Sequence, residues 1–177
     1  MPEPDYIEED LERLSEAAAA PNVLSSESFW RPLHKLFSKA AVTVDVNQTV
    51  GEALELIRET EYGAIVVTRK GKLAGLLTER ELLVHVVGVI ENFEQHKVSE
   101  VMQADPVSLR RDDPIVYALH NMQVGGCRHI PIVDAEDRPI SVVSIKDVVR
   151  FILSHFPEDV LNVTTEPYRG PVSREGA

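Results

Sequence analysis

The chain has 177 residues, 29 acidic against 18 basic for a formal net charge of −11, and 44% of it is hydrophobic. That length suffices for one well-buried core or two small ones packed together, and the acidic balance argues against non-specific nucleic-acid binding, which needs Lys and Arg to neutralise phosphates. There is no run of 18 apolar residues to span a membrane, no basic-then-apolar secretory start, and only Cys127 to carry a thiol, so a cytoplasmic protein without disulfides or membrane association is expected.

In chain order, residues 1–32 form an acidic arm and linker. Seven acids stand against Arg13 alone in the first 20 positions, so more than half of the net charge lies here. Ile7, Leu11 and Leu14 give residues 4–20 partial helical spacing. Trp30, next to a Ser-rich linker, is expected to be a packing anchor. In residues 33–90, Val42–Val44 reads as a short strand and Val50–Thr60 as a helix capped by Thr49, with Ala53, Leu54 and Ile57 on one face. Ala64–Val67 and Leu73–Leu77 form a hairpin across Arg69-Lys70-Gly71, and Glu79–Val89 a second helix. Residues 91–97 are a polar linker.

In residues 98–156, Val107–Leu109 is a strand, and a helix begins with Pro114 at its first position and ends at Gly125-Gly126. Arg128–Val133, the turn Asp134–Asp137, and Pro139–Ser144 form a second hairpin, followed by a helix from Ile145 to about Phe156. Residues 157–177, rich in Pro and Gly, read as a surface strap and then disorder.

The two middle segments are copies. Sliding the chain by 65 residues puts Val42-Thr43-Val44 on Val107-Ser108-Leu109, Val50 on Ile115, Ala53 on Ala118, Ile57 on Met122 and Ile65 on Ile130. After one inserted residue, Gly75-Leu76-Leu77-Thr78-Glu79-Arg80-Glu81 falls on Ser141-Val142-Val143-Ser144-Ile145-Lys146-Asp147. Two copies are too few for a solenoid, so an α+β (α/β-like) fold of two β-α-β-β-α repeats packed as a pseudo-twofold pair is expected.

These motifs resemble the CBS domain family, named for cystathionine β-synthase, in its tandem form. The carriers are the closing signature Gly-hydrophobic-hydrophobic-Thr/Ser-x-Arg/Lys-Asp in each copy and the strand Arg128-His129-Ile130-Pro131-Ile132-Val133 in the second. The pattern is broken at three places: Glu81 stands where Asp is preferred, Ser141 stands for the signature glycine, and Tyr62-Gly63-Ala64-Ile65-Val66-Val67 stands where the second copy has its Arg-His-x-Pro strand.

The resemblance implies a regulatory module that holds AMP, ADP, ATP or S-adenosylmethionine in clefts between the copies, with no cofactor required. In the second cleft Ser144 would contact a phosphate, and Asp147 would grip the ribose hydroxyls. Lys146 and Arg128 or His129 would reach phosphates, while Val107, Ile130 and Pro131 would line the adenine slot. Strand alternation would put Arg128 and His129 on opposite faces. In the first cleft the matching residues are Val42, Ala64, Thr78, Arg80 and Glu81. Binding there is expected to be weaker, because Glu is longer than Asp and no basic residue of repeat one matches Arg128 and His129. The alternative is a structural or dimerisation module without a small-molecule ligand. The chain carries no clustered metal ligands, nucleophile–base pair or phosphate loop, so neither an enzyme nor a metal site is expected. Cys127 beside Arg128 and His129 is in a position for a lowered pKa, though a small residue before a strand is the plainer reading. A homodimer through Leu54, Ile57, Leu82, Val86, Val148, Val149 and Ile152 and an unknown effector protein complete the expectations.

Overall fold

The computed structural model describes residues 24–36, 39–60 and 63–156. The expected helix over 4–20 and strap over 157–177 lie outside these residues. The chain divides into two compact units. Leu24–Phe151 holds both repeats. Of the other unit the described residues are Ile152–Phe156, where the N–H of His155 donates to the Ile152 carbonyl and that of Phe156 to Leu153.

Repeat one runs β1 (Thr43–Asp45), α1 (Val50–Glu59), β2 (Ala64–Arg69), β3 (Lys72–Thr78) and α2 (Glu79–His85). Repeat two runs β4 (Gln103–Ala104), β5 (Leu109–Arg110), α3 (Ile115–Gly125), β6 (His129–Val133), β7 (Pro139–Ser144) and α4 (Ile145–Leu153). One sheet has the order β1-β2-β3-β4 and the other β5-β6-β7. In each, the first strand pairs parallel with the second across a helical crossover, and a hairpin supplies the third. This is the expected α+β architecture.

Local chemistry explains the elements. Thr49 accepts from the Glu52 N–H while Glu52 reaches back to the Thr49 N–H, a reciprocal cap that starts α1. The β2–β3 turn puts Lys70 at φ 54° and Gly71 at φ 78°, the two left-handed residues that a tight hairpin requires. The β6–β7 turn is closed by Asp134, whose Oδ1 accepts from the N–H groups of Glu136 and Arg138.

The duplication extends to individual hydrogen bonds between the repeats. The N–H of Leu33 donates to Asp113, that of His34 to Arg111, and that of Ile115 to Arg31. Shifted by 65 residues, these become Val98 to Gln48, Ser99 to Val46, and Val50 to His96, and all three are present. Each repeat's leading turn therefore docks on the helix start of the other. Leu33 and Val98, fully buried, are the matching plugs.

The departure at Ser141 has a structural reason. In repeat one a Cβ on Gly75 would meet the Met102 sulfur and lie 2.9 Å from the Gln103 carbonyl, because β4 pairs there with β3. In repeat two the equivalent Ser141 is buried, and its hydroxyl donates to the Lys39 carbonyl at 2.8 Å. One junction needs the absence of a side chain, and the other uses a small donor.

Several expectations are corrected. Trp30 is 61% exposed, and its neighbour Phe29 is the anchor, edge-on to Phe151 with centroids 5.9 Å apart. Pro114 is extended (ψ 144°) and caps α3 from outside rather than opening it. α2 ends at His85, and the chain turns through Gly88 at φ 74°. Of the residues expected on a dimer face, Ile57, Leu82, Val86 and Val148 are buried in the core, Leu54 and Ile152 are half-buried, and Val149 is exposed; Leu83, Val84, Val87 and Val89, outside that set, are exposed as well.

Candidate functional site

Two cavities lie between the repeats, and they are pseudo-twofold mates. The larger, about 530 Å³, is lined by Leu76, Thr78, Glu79, Arg80, Glu81 and Leu83 from repeat one. Gln103, Gly125, Gly126, Cys127, Arg128 and His129 complete it from repeat two. The smaller, about 170 Å³, joins Lys39–Val42, Glu59, Thr60 and Ala64 of repeat one to Val142 of repeat two. In both, the end of β3 or β7 from one repeat faces the loop before β2 or β6 of the other.

This crosswise construction regroups the expected residues. Thr78, Arg80 and Glu81 come together with Arg128 and His129, not with Val42 and Ala64. Val42 and Ala64 line the smaller cavity. Arg128 and His129 line one cavity together because β6 begins only at His129. Arg128 sits in the preceding bend, outside the strand alternation. Val107, 52% exposed, and Lys146, also exposed, line neither cavity. Ile130 and Pro131 are buried in strand β6.

The signature carboxylates are both engaged at helix starts. Thr78 accepts from the Arg80 N–H, and Glu81 Oε2 accepts from the Thr78 N–H at 3.2 Å and from the Thr78 hydroxyl. Asp147 Oδ2 accepts from the Ser144 N–H at 2.7 Å and its hydroxyl at 2.6 Å, and Oδ1 accepts from Arg150 at 3.1 Å. The Asp147 side chain is 2% exposed, whereas Glu81 is half-buried at the cavity wall.

Cys127 is half-buried, its thiol donates to the Asn121 carbonyl at 3.5 Å, and burial pushes its pKa up. The thiol pKa is raised rather than lowered, because desolvation outweighs the backbone hydrogen bond that opposes it. Sequence reasoning missed Gln103, Gly125 and Gly126 as lining residues, although it had marked Gly125-Gly126 as the stop of α3, where Gly126 takes φ 63°. Among the described residues no three His, Cys, Asp or Glu side chains gather as a metal site. No helix among them is long and apolar enough to cross a membrane.

The CBS domain model matches residues 34–88 and 98–154. The chain belongs to the CBS domain family. It is 33% identical over 106 residues to the CBS domain-containing protein YhcV of Bacillus subtilis, covering 60% of this chain and 74% of that one. It is 32% identical over 113 residues to an inosine-5'-monophosphate dehydrogenase of Methanocaldococcus jannaschii, covering 63% of this chain but only 22% of the enzyme. Among solved structures, the CBS domain protein PAE2072 from Pyrobaculum aerophilum, complexed with AMP, has a TM-score of 0.62 at 18% identity. That match covers 71% of this chain and 98% of that one. The CBS domain pair of protein MJ0100, in complex with 5-methylthioadenosine and S-adenosylmethionine, also has a TM-score of 0.62, at 19% identity over 68% of this chain and 98% of that one. At those identities the likeness shows the fold, a CBS domain pair.

Proposed function

We propose that the chain is a regulatory module that senses an adenine nucleotide or S-adenosylmethionine in the larger inter-repeat cavity. The observation that carries this reading is the cavity itself: about 530 Å³, within the roughly 300–1,000 Å³ range of small-molecule sites. Hydroxyl, carboxylate, guanidinium and imidazole groups from both repeats converge on it. Thr78 and Glu81 stand at the positions that face ribose and phosphate by family resemblance. Relatives of the same fold were solved with AMP and with S-adenosylmethionine. A ligand bridging the repeats favours the closed pair over any opened form, so its binding becomes a signal only through a partner that distinguishes the two.

The competing reading is a structural or dimerisation module. Its support is that Asp147 is sequestered and Glu81 already caps a helix. A thermal-shift series with AMP, ADP, ATP and S-adenosylmethionine separates the two. A ligand at 100 times its dissociation constant adds about 2.7 kcal/mol of stability. A flat series across all four would leave the structural reading standing.

A further inference from the structure

We propose that the bare apolar face at the end of α2 is a docking surface for a basic amphipathic helix of another protein.

The face consists of Leu83, Val84, Val87 and Val89, which are 67%, 58%, 62% and 68% exposed. They sit on a wound segment. The N–H groups of Val86 and Val87 donate to the Leu82 carbonyl, and those of Val89 and Ile90 to the Val86 carbonyl. Leu82 and Val86 are buried in the core, so the helical period turns Leu83, Val84 and Val87 outward together. Single apolar residues on a surface need no explanation, but a group of them on one helix end marks an interaction site.

Repeat two shows how such a face is covered. Its equivalents of Leu83, Val84, Val87 and Val89 are Val149, Arg150, Leu153 and His155. Of these, Leu153 is half-buried, His155 is buried, and only Val149 is an exposed apolar residue. Phe29, in the turn that leads into repeat one, meets Phe151 of α4 edge-on. The pseudo-twofold mates of these two rings are Glu94 and His85. Glu94 turns to α1 instead: its carboxyl packs over Gly51, and its Oε2 lies 3.3 Å from the Thr49 hydroxyl. Among the described residues, α2 therefore lacks the aromatic cover that α4 draws from its own chain.

Charge selects the occupant. Arg80 heads the apolar stripe between Glu79 and Glu81, and Glu91 follows its far end, three acids against one base. The whole chain carries −11. A second copy would set one acidic rim against another, and the acidic residues 1–20 would do the same. A helix with apolar residues at i, i+3, i+4 and i+7 and Lys or Arg beside them matches both stripe and rim, and the field of an acidic protein steers it in. Glu79, Arg80, Glu81 and Leu83 also line the larger cavity, so one helix links the cavity to the docking face. Docking itself does not depend on the nucleotide reading, and its test uses no nucleotide.

The test is fluorescence anisotropy of the full chain with a labelled leucine–lysine peptide about 18 residues long, its leucines at helical spacing. Two control peptides replace lysine by glutamate or leucine by serine. The leucine–lysine peptide should saturate at one per chain, with both controls weaker by about tenfold or more. Leu83→Gln with Val87→Gln alters no charge and should weaken it about tenfold or more. Val149→Gln, at the mate position, should leave it unchanged. All three residues are exposed, and matching melting curves establish that the variants fold. No binding, equal binding of either control peptide, or indifference to the Leu83 and Val87 pair would overturn the proposal. A parent that scatters light as a dimer, and that the same pair of substitutions splits, would give the face to a second copy and overturn it as well.

Discussion

Replacing Gly75 by Ala tests how the repeats are joined. Gly75 is buried opposite Ala104, where β4 of repeat two closes the edge of the sheet of repeat one. A new methyl would press on the Met102 sulfur, which can swing away, and on the Gln103 carbonyl 2.9 Å off, which belongs to backbone and cannot. Overpacking of this kind costs about 1–3 kcal/mol. Restricting the unfolded chain returns about 0.4–1 kcal/mol. The net expectation is a loss of about 1–2 kcal/mol, which for a chain of this size lowers the melting midpoint by roughly 2–8 °C. Urea unfolding followed by circular dichroism measures it. Ser141→Ala probes the mate: losing the hydroxyl donor to Lys39 should cost about 0.5–1.5 kcal/mol. A Gly75→Ala protein as stable as the parent would refute the claim that β4 sits tightly against β3.

Asp147→Ala removes a buried cap and the partner of Arg150, and should destabilise by about 1.5–3 kcal/mol in urea unfolding. Its effect on ATP affinity should be small once the protein is kept folded. Leu83→Glu with Val87→Glu changes two side chains that are 67% and 62% exposed. If this apolar face joins two copies in place of taking a foreign helix, light scattering should show a dimer for the parent and a monomer of 19.7 kDa for the variant. Cys127 should react slowly with iodoacetamide at pH 8, and its rate should rise through a midpoint above the ordinary thiol range, since burial disfavours the thiolate. A rate equal to that of a free thiol would contradict the burial argument.

The repeats were legible because duplicated spacing survives in the positions that build cores: Val50 with Ile115, Ala53 with Ala118, and Ile65 with Ile130 are buried in both copies. The Thr49 cap and the Lys70-Gly71 turn were legible because their chemistry is local. β4 was not, since a two-residue strand has no periodicity and exists only through its partner β3. The grouping of the site was not either. Linear order put Arg128 and His129 with Ser144 and Asp147, but the leading turns cross between repeats, so each cavity draws on both copies. Which half of an apolar run stays outward was not legible for a related reason. α2 rotates Leu82 and Val86 into the core and leaves Leu83 and Val87 outward, and an apolar run alone does not say which half is covered.

The location of the ligand is the claim on which the account turns. Amide chemical-shift mapping of the full chain during titration with ATP tests it most directly. The account predicts saturable shifts at Thr78, Arg80, Glu81 and Cys127–His129, with Val42 and the Ser144–Arg150 segment unmoved. Shifts centred on Val42, Ser144 and Asp147 would contradict it.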